Sequence, residues 1–246
     1  MTITLNRPNA GNQINLALAA ELKEACQAAR EEESIRIVIL TGSEGVFSTG
    51  REQLPAELAA GPVESRIRWL RQLQVASAVA DLPVPVIVAI NGDAIDHGLE
   101  LALAGDLRIA GATARMGLTD LAHGGFPWDG GTQRLPRLVG PASAQDMVLT
   151  GRILDAAQAL SLGLVNRVVT ADQLLDQARE LADQIAAGAP IAARYAKEAV
   201  IKGMDLSLKE GLRLEADLNI ILQSTADRAE GLQSFLQHRA ARFTGR

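Results

Sequence analysis

Pro85-Val86-Ile87-Val88-Ala89-Ile90-Asn91-Gly92-Asp93-Ala94-Ile95-Asp96-His97-Gly98-Leu99-Glu100-Leu101-Ala102-Leu103-Ala104-Gly105-Asp106 reads as a strand, a turn and a helix in succession. Val86 to Ile90 is apolar, mostly β-branched and uncharged, the pattern of a buried strand. Asn91-Gly92 breaks it, a pair that tolerates the positive φ of a sharp turn. Gly98 to Leu103 reads as the start of a helix. Backbone N–H groups at such a start lack partners in the helix and can meet an anion. Strand, turn and helix start together can form an oxyanion hole.

On both sides of this stretch, strands and helices alternate. Upstream, Thr2 to Leu5 reads as a strand and Arg7 to Asn12 as a turn-rich link. Leu16 to Glu32 has helical spacing, with Leu18, Leu22, Ala25 and Ala29 on one face. Ile35 to Thr41 is a strand, followed by the loop Gly42-Ser43-Glu44-Gly45. Phe47-Ser48-Thr49-Gly50-Arg51-Glu52 is a second place where backbone amides can stand open. Val63 to Ala80 is expected as one helix, stopped at Leu82-Pro83. Downstream, Leu107 to Ala110 is a strand and Met116 to Asp120 a short extended piece. Leu121 to Gly131 is a glycine-rich loop. Short helices follow over 132–138, 142–149 and 156–161, then a strand over 165–169. From there the chain becomes helical, over 171–187, 191–202, 206–224 and 227–241. Alternating elements followed by a helical block point to an α/β fold with a helical C-terminal region. Gly188-Ala189-Pro190 separates a core domain, 1–188, from that region, 189–246.

The 246 residues are 48% hydrophobic, enough to fill a sizeable core. A net charge of −5 speaks against nucleic acid or an anionic membrane as partner. The one cysteine, Cys26, has no internal disulfide partner and sits in an apolar helical pattern, so it reads as core in a reducing compartment. The first residues lack a signal-peptide pattern, and no apolar run reaches the ~20 residues of a membrane span. The expected location is cytoplasmic.

Several pieces recur in a recognisable order: Leu5-Asn6-Arg7-Pro8; Phe47-Ser48-Thr49-Gly50; Pro83 to Gly92 followed by Glu100-Leu101-Ala102-Leu103; Gly130-Gly131-Thr132-Gln133-Arg134-Leu135-Pro136; Leu162-Gly163-Leu164-Val165-Asn166; and Glu230-Gly231-Leu232. In this order and spacing the chain resembles the crotonase (enoyl-CoA hydratase/isomerase) superfamily along nearly its whole length. The resemblance implies a crotonase-like spiral of ββα turns with a helical C-terminal trimerisation region, assembled as a homotrimer or homohexamer. It implies an acyl-CoA substrate, with no cofactor beyond the coenzyme A that the substrate carries, and no metal.

It also implies roles for particular residues. The amides of Arg51 and His97 correspond to the family's oxyanion hole. Glu100 matches the first catalytic glutamate. Asp120 stands where the second glutamate is expected, one methylene shorter, a loss of reach of roughly 1 Å. The chain departs from the family most clearly at Asp96-His97-Gly98, which replaces a glycine run. Two carboxylates suit a hydratase, which adds water across a 2-enoyl double bond, whereas one suffices for a double-bond isomerase. Phe235 and His238 fall where the family contacts the nucleotide end of coenzyme A. Two alternatives stay open. His97 and Asp129 match the histidine and aspartate of the β-diketone hydrolase branch, which cleaves a C–C bond with water. The altered turn and the shortened acid also fit a catalytically weak member that binds acyl-CoA. His123 reads as a solvated loop residue and Trp128 as packing.

Overall fold

The apolar run Val86–Ile90 is uninterrupted because both of its faces are covered. In the computed structural model, which describes residues 1–246, a five-stranded parallel sheet runs in the order β1 (Thr2–Leu5), β2 (Val38–Gly42), β3 (Val86–Ile90), β5 (Leu107–Gly111), β8 (Arg167–Val169). A smaller sheet pairs β4 (Ala94–Ile95) in parallel with β6 (Arg115–Gly117), and β6 antiparallel with β7 (Ile153–Asp155). Helices come between: α1 (Leu16–Glu31), α2 (Ala56–Ala60), α3 (Val63–Leu73), α4 (Ala76–Ala80), α5 (His97–Ala102), α6 (Gly131–Val139), α7 (Pro141–Thr150) and α8 (Ala156–Ser161). After β8 the chain is helical: α9 (Leu174–Ala186), α10 (Pro190–Gly203), α11 (Leu208–Leu222) and α12 (Ala226–Leu236).

Strand periodicity sends Val86, Val88 and Ile90 to one face and Ile87 and Ala89 to the other. The first set joins the main core with Leu18, Leu22 and Cys26 of α1, Val79 of α4 and Leu101 of α5. Burial pushes the Cys26 thiol up to about 11, so it behaves as an apolar core group. The second set meets Leu174, Ala178 and Leu181 of α9. Each fully buried aliphatic side chain contributes roughly 1.5–3 kcal/mol.

Three expectations are corrected. Gly92 does not take a positive φ. It is needed because a Cβ there would lie 1.9 Å from the Gly45 carbonyl oxygen. Beside it, Asn91 continues the ladder with its side chain, accepting from Gly42 N–H at 3.1 Å and donating to Gly42 O at 2.9 Å. The expected helix 63–80 is two helices, because Val75 and Ala76 N–H donate to the Asp129 carboxylate rather than to helical carbonyls. The last helix ends at Leu236 rather than 241. The tail folds back so that Asp227 accepts from Thr244 and Gly245 N–H, while the Arg36 guanidinium donates to Phe243 O. No helix is long and apolar enough to cross a membrane.

Candidate active site

The turn after β3 and the segment 48–51 lie side by side. Ser48 N–H donates to Asp93 O at 2.9 Å, and Ile95 N–H donates to Ser48 O at 3.0 Å. The link after the first strand fixes the other edge: Ile14 N–H donates to Gly50 O, and Glu52 N–H to Ile14 O. Buried Asn12 ties the preceding loop by donating to Val46 O at 2.7 Å. Gly98 permits the close approach, since a Cβ there would lie 2.1 Å from Ser48 O. One step further on, a Cβ at Gly50 would lie 3.8 Å from Asp96 Cβ. The residues that follow this contact are Arg51 and His97. Neither of their N–H groups makes a hydrogen bond.

A cavity of about 550 Å³ opens at this point, lined by Arg51, Asp96, Asp120, His123, Trp69 and Leu70 among others. Asp120 opens a short 3-10 turn after β6. Its Oδ1 lies 3.4 Å from an Arg51 guanidinium nitrogen, and its Oδ2 is buried with no partner. Burial raises the Asp120 pKa, the nearby Asp96 carboxylate adds to this, and the Arg51 cation opposes it. Asp96 holds φ 49°, ψ −119°, a conformation usual for glycine, and its carboxylate accepts from Thr119 N–H and hydroxyl.

His97, Glu100 and Asp129 are also brought together, but in the interior and not on the cavity wall. Glu100 Oε1 accepts from Asp129 and Gly131 N–H, both at 2.8 Å. Its Oε2 is 3.3 Å from His97 Nδ1. The opposite ring nitrogen, Nε2, is 3.0 Å from Leu73 O and 3.5 Å from Asp129 Oδ2. Burial raises the Asp129 pKa, while the Ala76 and Val75 amides and His97 hold it down. His97 and Glu100 have no solvent exposure.

Sequence reasoning did not find the two side chains that connect the cavity to this interior group. The Arg51 guanidinium lies over the Trp128 ring at 5.3 Å, and Trp128 faces the His97 ring at 5.1 Å. An arginine after Gly50 and a tryptophan beside Asp129 were both visible, but no spacing rule joins them. His123 is exposed, as expected, and it lines the cavity. Phe235 and His238 are not brought to this cavity. Phe235 is 76% exposed on α12, and His238 follows the helix with a positive φ.

Comparison with known proteins agrees with this architecture. The family model for enoyl-CoA hydratase/isomerase matches residues 1–246. The chain is 40% identical to the mitochondrial enoyl-CoA hydratase domain-containing protein 2 of Mus musculus, covering 99% of this chain and 84% of the relative. It is 39% identical to 2,3-dehydroadipyl-CoA hydratase of Escherichia coli (strain K12), covering 100% and 95%. The crystal structure of an enoyl-CoA hydratase from Bacillus anthracis superposes with a TM-score of 0.94 at 40% identity, covering 100% of this chain and 95% of that one. The chain belongs to the enoyl-CoA hydratase/isomerase family, within the crotonase superfamily, and is an acyl-CoA enzyme of hydratase/isomerase type.

Proposed function

We propose that the cavity takes the acyl end of a coenzyme A thioester and that the reaction passes through its enolate. The amides of Arg51 and His97 donate to the thioester oxygen as it becomes an oxyanion, and Asp120 moves the proton. The observation that carries this reading is the pair of N–H groups without acceptors, on segments that touch at Gly50 and Asp96, next to a carboxylate oxygen without a donor. Two donors placed beforehand need no reorganisation when charge develops, and each is worth roughly 3–4 kcal/mol in comparable sites. The raised pKa of Asp120 brings its basicity closer to what proton transfer at carbon requires. The histidine and aspartate of the hydrolase reading do meet, with His97 Nε2 3.5 Å from Asp129 Oδ2, but the pair is turned inward. A histidine base must reach the substrate, and both ring nitrogens of His97 face protein oxygens.

Two wider properties belong to the same proposal. Val200, Met204, Leu208, Leu212, Ile220 and Phe235 leave a large apolar surface exposed on α10 to α12. A second and a third copy of the chain would cover it, giving a homotrimer or a dimer of such trimers. Phe235 and His238 would then meet coenzyme A at the edge of that surface. A chain with one buried thiol and no apolar helix long enough to span a membrane fits the cytoplasm.

Crotonyl-CoA hydration and isomerisation of 3-hexenoyl-CoA, followed by absorbance of the conjugated thioester, test the site with Asp120→Asn. Loss of about a hundredfold or more in kcat, with the thermal melt unchanged or raised, is expected for a lost acid–base group. A variant that keeps its kcat removes Asp120 from the chemistry.

A further inference from the structure

Glu100 occupies the position where the resemblance expects an acid–base glutamate, yet its surroundings use up its carboxylate. Oε1 accepts two backbone N–H bonds at 2.8 Å, from Asp129 and Gly131. A Cβ on Gly131 would lie only 3.0 Å from that oxygen, so no substrate atom fits between them. Oε2 faces His97 Nδ1 at 3.3 Å. The residue has no exposure and does not line the cavity. Going inward from the cavity wall, Arg51 is backed by Trp128, Trp128 by the His97 ring, and His97 by Glu100.

The interior group holds three segments together. His97 Nε2 donates to Leu73 O at the end of α3, the helix whose Trp69 and Leu70 line the cavity. Asp129 caps the start of α4 through Val75 and Ala76 N–H. Glu100 fastens the 129–131 loop and the His97 ring. Because the backbone N–H of His97 is one of the two amides without acceptors, whatever orients residue 97 also orients that donor.

We propose that Glu100 is a positioning residue, held by His97 and the Asp129 and Gly131 amides, and that Asp120 alone moves protons in the cavity. This rests on the enolate reading above. One carboxylate is sufficient for a double-bond shift. Asp120 takes the C2 proton of a 3-enoyl thioester, and the C–H electron pair becomes the C1–C2 π bond of a dienolate as the carbonyl pair moves onto oxygen. Protonated Asp120 then gives the same proton to C4. The C3–C4 π pair forms the new C4–H bond, the oxyanion pair re-forms the carbonyl, and the double bond stands at C2–C3. No water or external proton is consumed. Water addition calls for a further group to hold the nucleophile, and Glu100 is not free to do so. The site therefore favours 3-enoyl over 2-enoyl substrates.

Glu100→Gln and Glu100→Ala separate positioning from proton transfer. The glutamine carbonyl accepts the same two N–H bonds with its NH₂ facing His97 Nδ1, whereas alanine leaves both amides without an acceptor. On 3-hexenoyl-CoA, Glu100→Gln is expected to lose less than about tenfold in kcat and to keep the acid limb of the pH profile, moved to lower pH because the Glu100 charge that helps raise the Asp120 pKa is gone. Glu100→Ala is expected to lose more, to melt earlier and to be rescued by glutamine. A folded Glu100→Gln that loses a hundredfold or more, or whose acid limb disappears, overturns the proposal. Wild-type protein that hydrates crotonyl-CoA faster than it isomerises 3-hexenoyl-CoA overturns the single-carboxylate preference. Full activity of Asp120→Asn removes Asp120 from the chemistry, and with it both the proposed function's proton carrier and the single-carboxylate proposal built on it.

Discussion

Gly98→Ala tests whether the close approach of two backbones sets the spacing of the donor pair. The added methyl would lie 2.1 Å from Ser48 O and 2.8 Å from the Ser48 carbonyl carbon. Carbon–oxygen contacts settle at about 3.3 Å or more, so the two segments must separate by roughly 1 Å. The obstacle is backbone, already tied by the 3.0 Å bond from Ile95 N–H to Ser48 O, and it cannot rotate away as a side chain would. Arg51 is three residues beyond Ser48, and His97 precedes Gly98, so the separation falls directly between the two free N–H groups. A misplacement of about 1 Å is worth on the order of a hundredfold in rate. Overpacking of this kind also destabilises by roughly 1–3 kcal/mol. Steady-state kcat/KM with an enoyl-CoA substrate, measured below the melting transition, gives the first quantity, and urea unfolding gives the second. Gly203→Ala is the control, since nothing lies within 4 Å of its added methyl and its φ is not positive. A Gly98→Ala enzyme that keeps kcat/KM within about threefold of wild type refutes the link between this contact and the donor pair.

Other perturbations follow from the same geometry. Asp129→Ala leaves Val75 and Ala76 N–H without their acceptor and His97 without one of its oxygens. Urea unfolding should show a loss of about 3–5 kcal/mol, and a loss under about 1 kcal/mol would mean the α3–α4 break is held by something else. Arg51→Gln keeps the backbone amide but removes the cation that lowers the Asp120 pKa. The base acts when ionised, so activity rises with pH through that pKa, and the acid limb of kcat/KM should move to higher pH. A limb that stays in place or moves down contradicts the Arg51–Asp120 interaction. Leu208→Asp puts a charge on the exposed apolar face of α11. Sedimentation should show a smaller species than wild type, whereas an unchanged mass would show that the face is not an interface.

Most of the strands were legible because apolar runs with β-branched residues have few other uses in a chain of this composition. Val86–Ile90, Thr2–Leu5 and Leu107–Gly111 fall where their patterns put them. The short strands β4 and β7 carry no such pattern, since two or three residues cannot express a period. They exist because Gly117 and its neighbours offer a ladder edge to pair with. The break in 63–80 was invisible for a different reason. Gln74-Val75 contains neither proline nor glycine, and the carboxylate that ends the helix comes from Asp129, far away in sequence. Local propensity cannot report a long-range hydrogen bond that wins over the helical one.

At the site, the sequence pointed to the segments but not to how their side chains are divided between cavity and interior. Asp96 and His97 read as a replaced glycine run, Asp120 as a shortened glutamate, and His97 with Asp129 as the pair of a hydrolase branch. In the structure they form two tied sets. Asp96 stands at a φ of 49°, where a side chain is strained by roughly 1–3 kcal/mol, and its carboxylate fastens to Thr119, the residue before Asp120. The strained turn that carries the His97 amide is thus fixed to the turn that carries the acid. The His97 ring, which a glycine could not supply, fills the space beneath Trp128 and takes up Glu100 and Asp129. A histidine at 97 without a carboxylate at 129 would lose a facing oxygen, and Asp129 without His97 would be a buried anion held only by the Val75 and Ala76 amides. Residue 97 therefore does not change to glycine independently of residue 129, and His97→Gly combined with Asp129→Ala should lose less stability than the sum of the two single losses. The sign of that coupling, read from a double-mutant cycle of stabilities, decides whether the two departures are one feature.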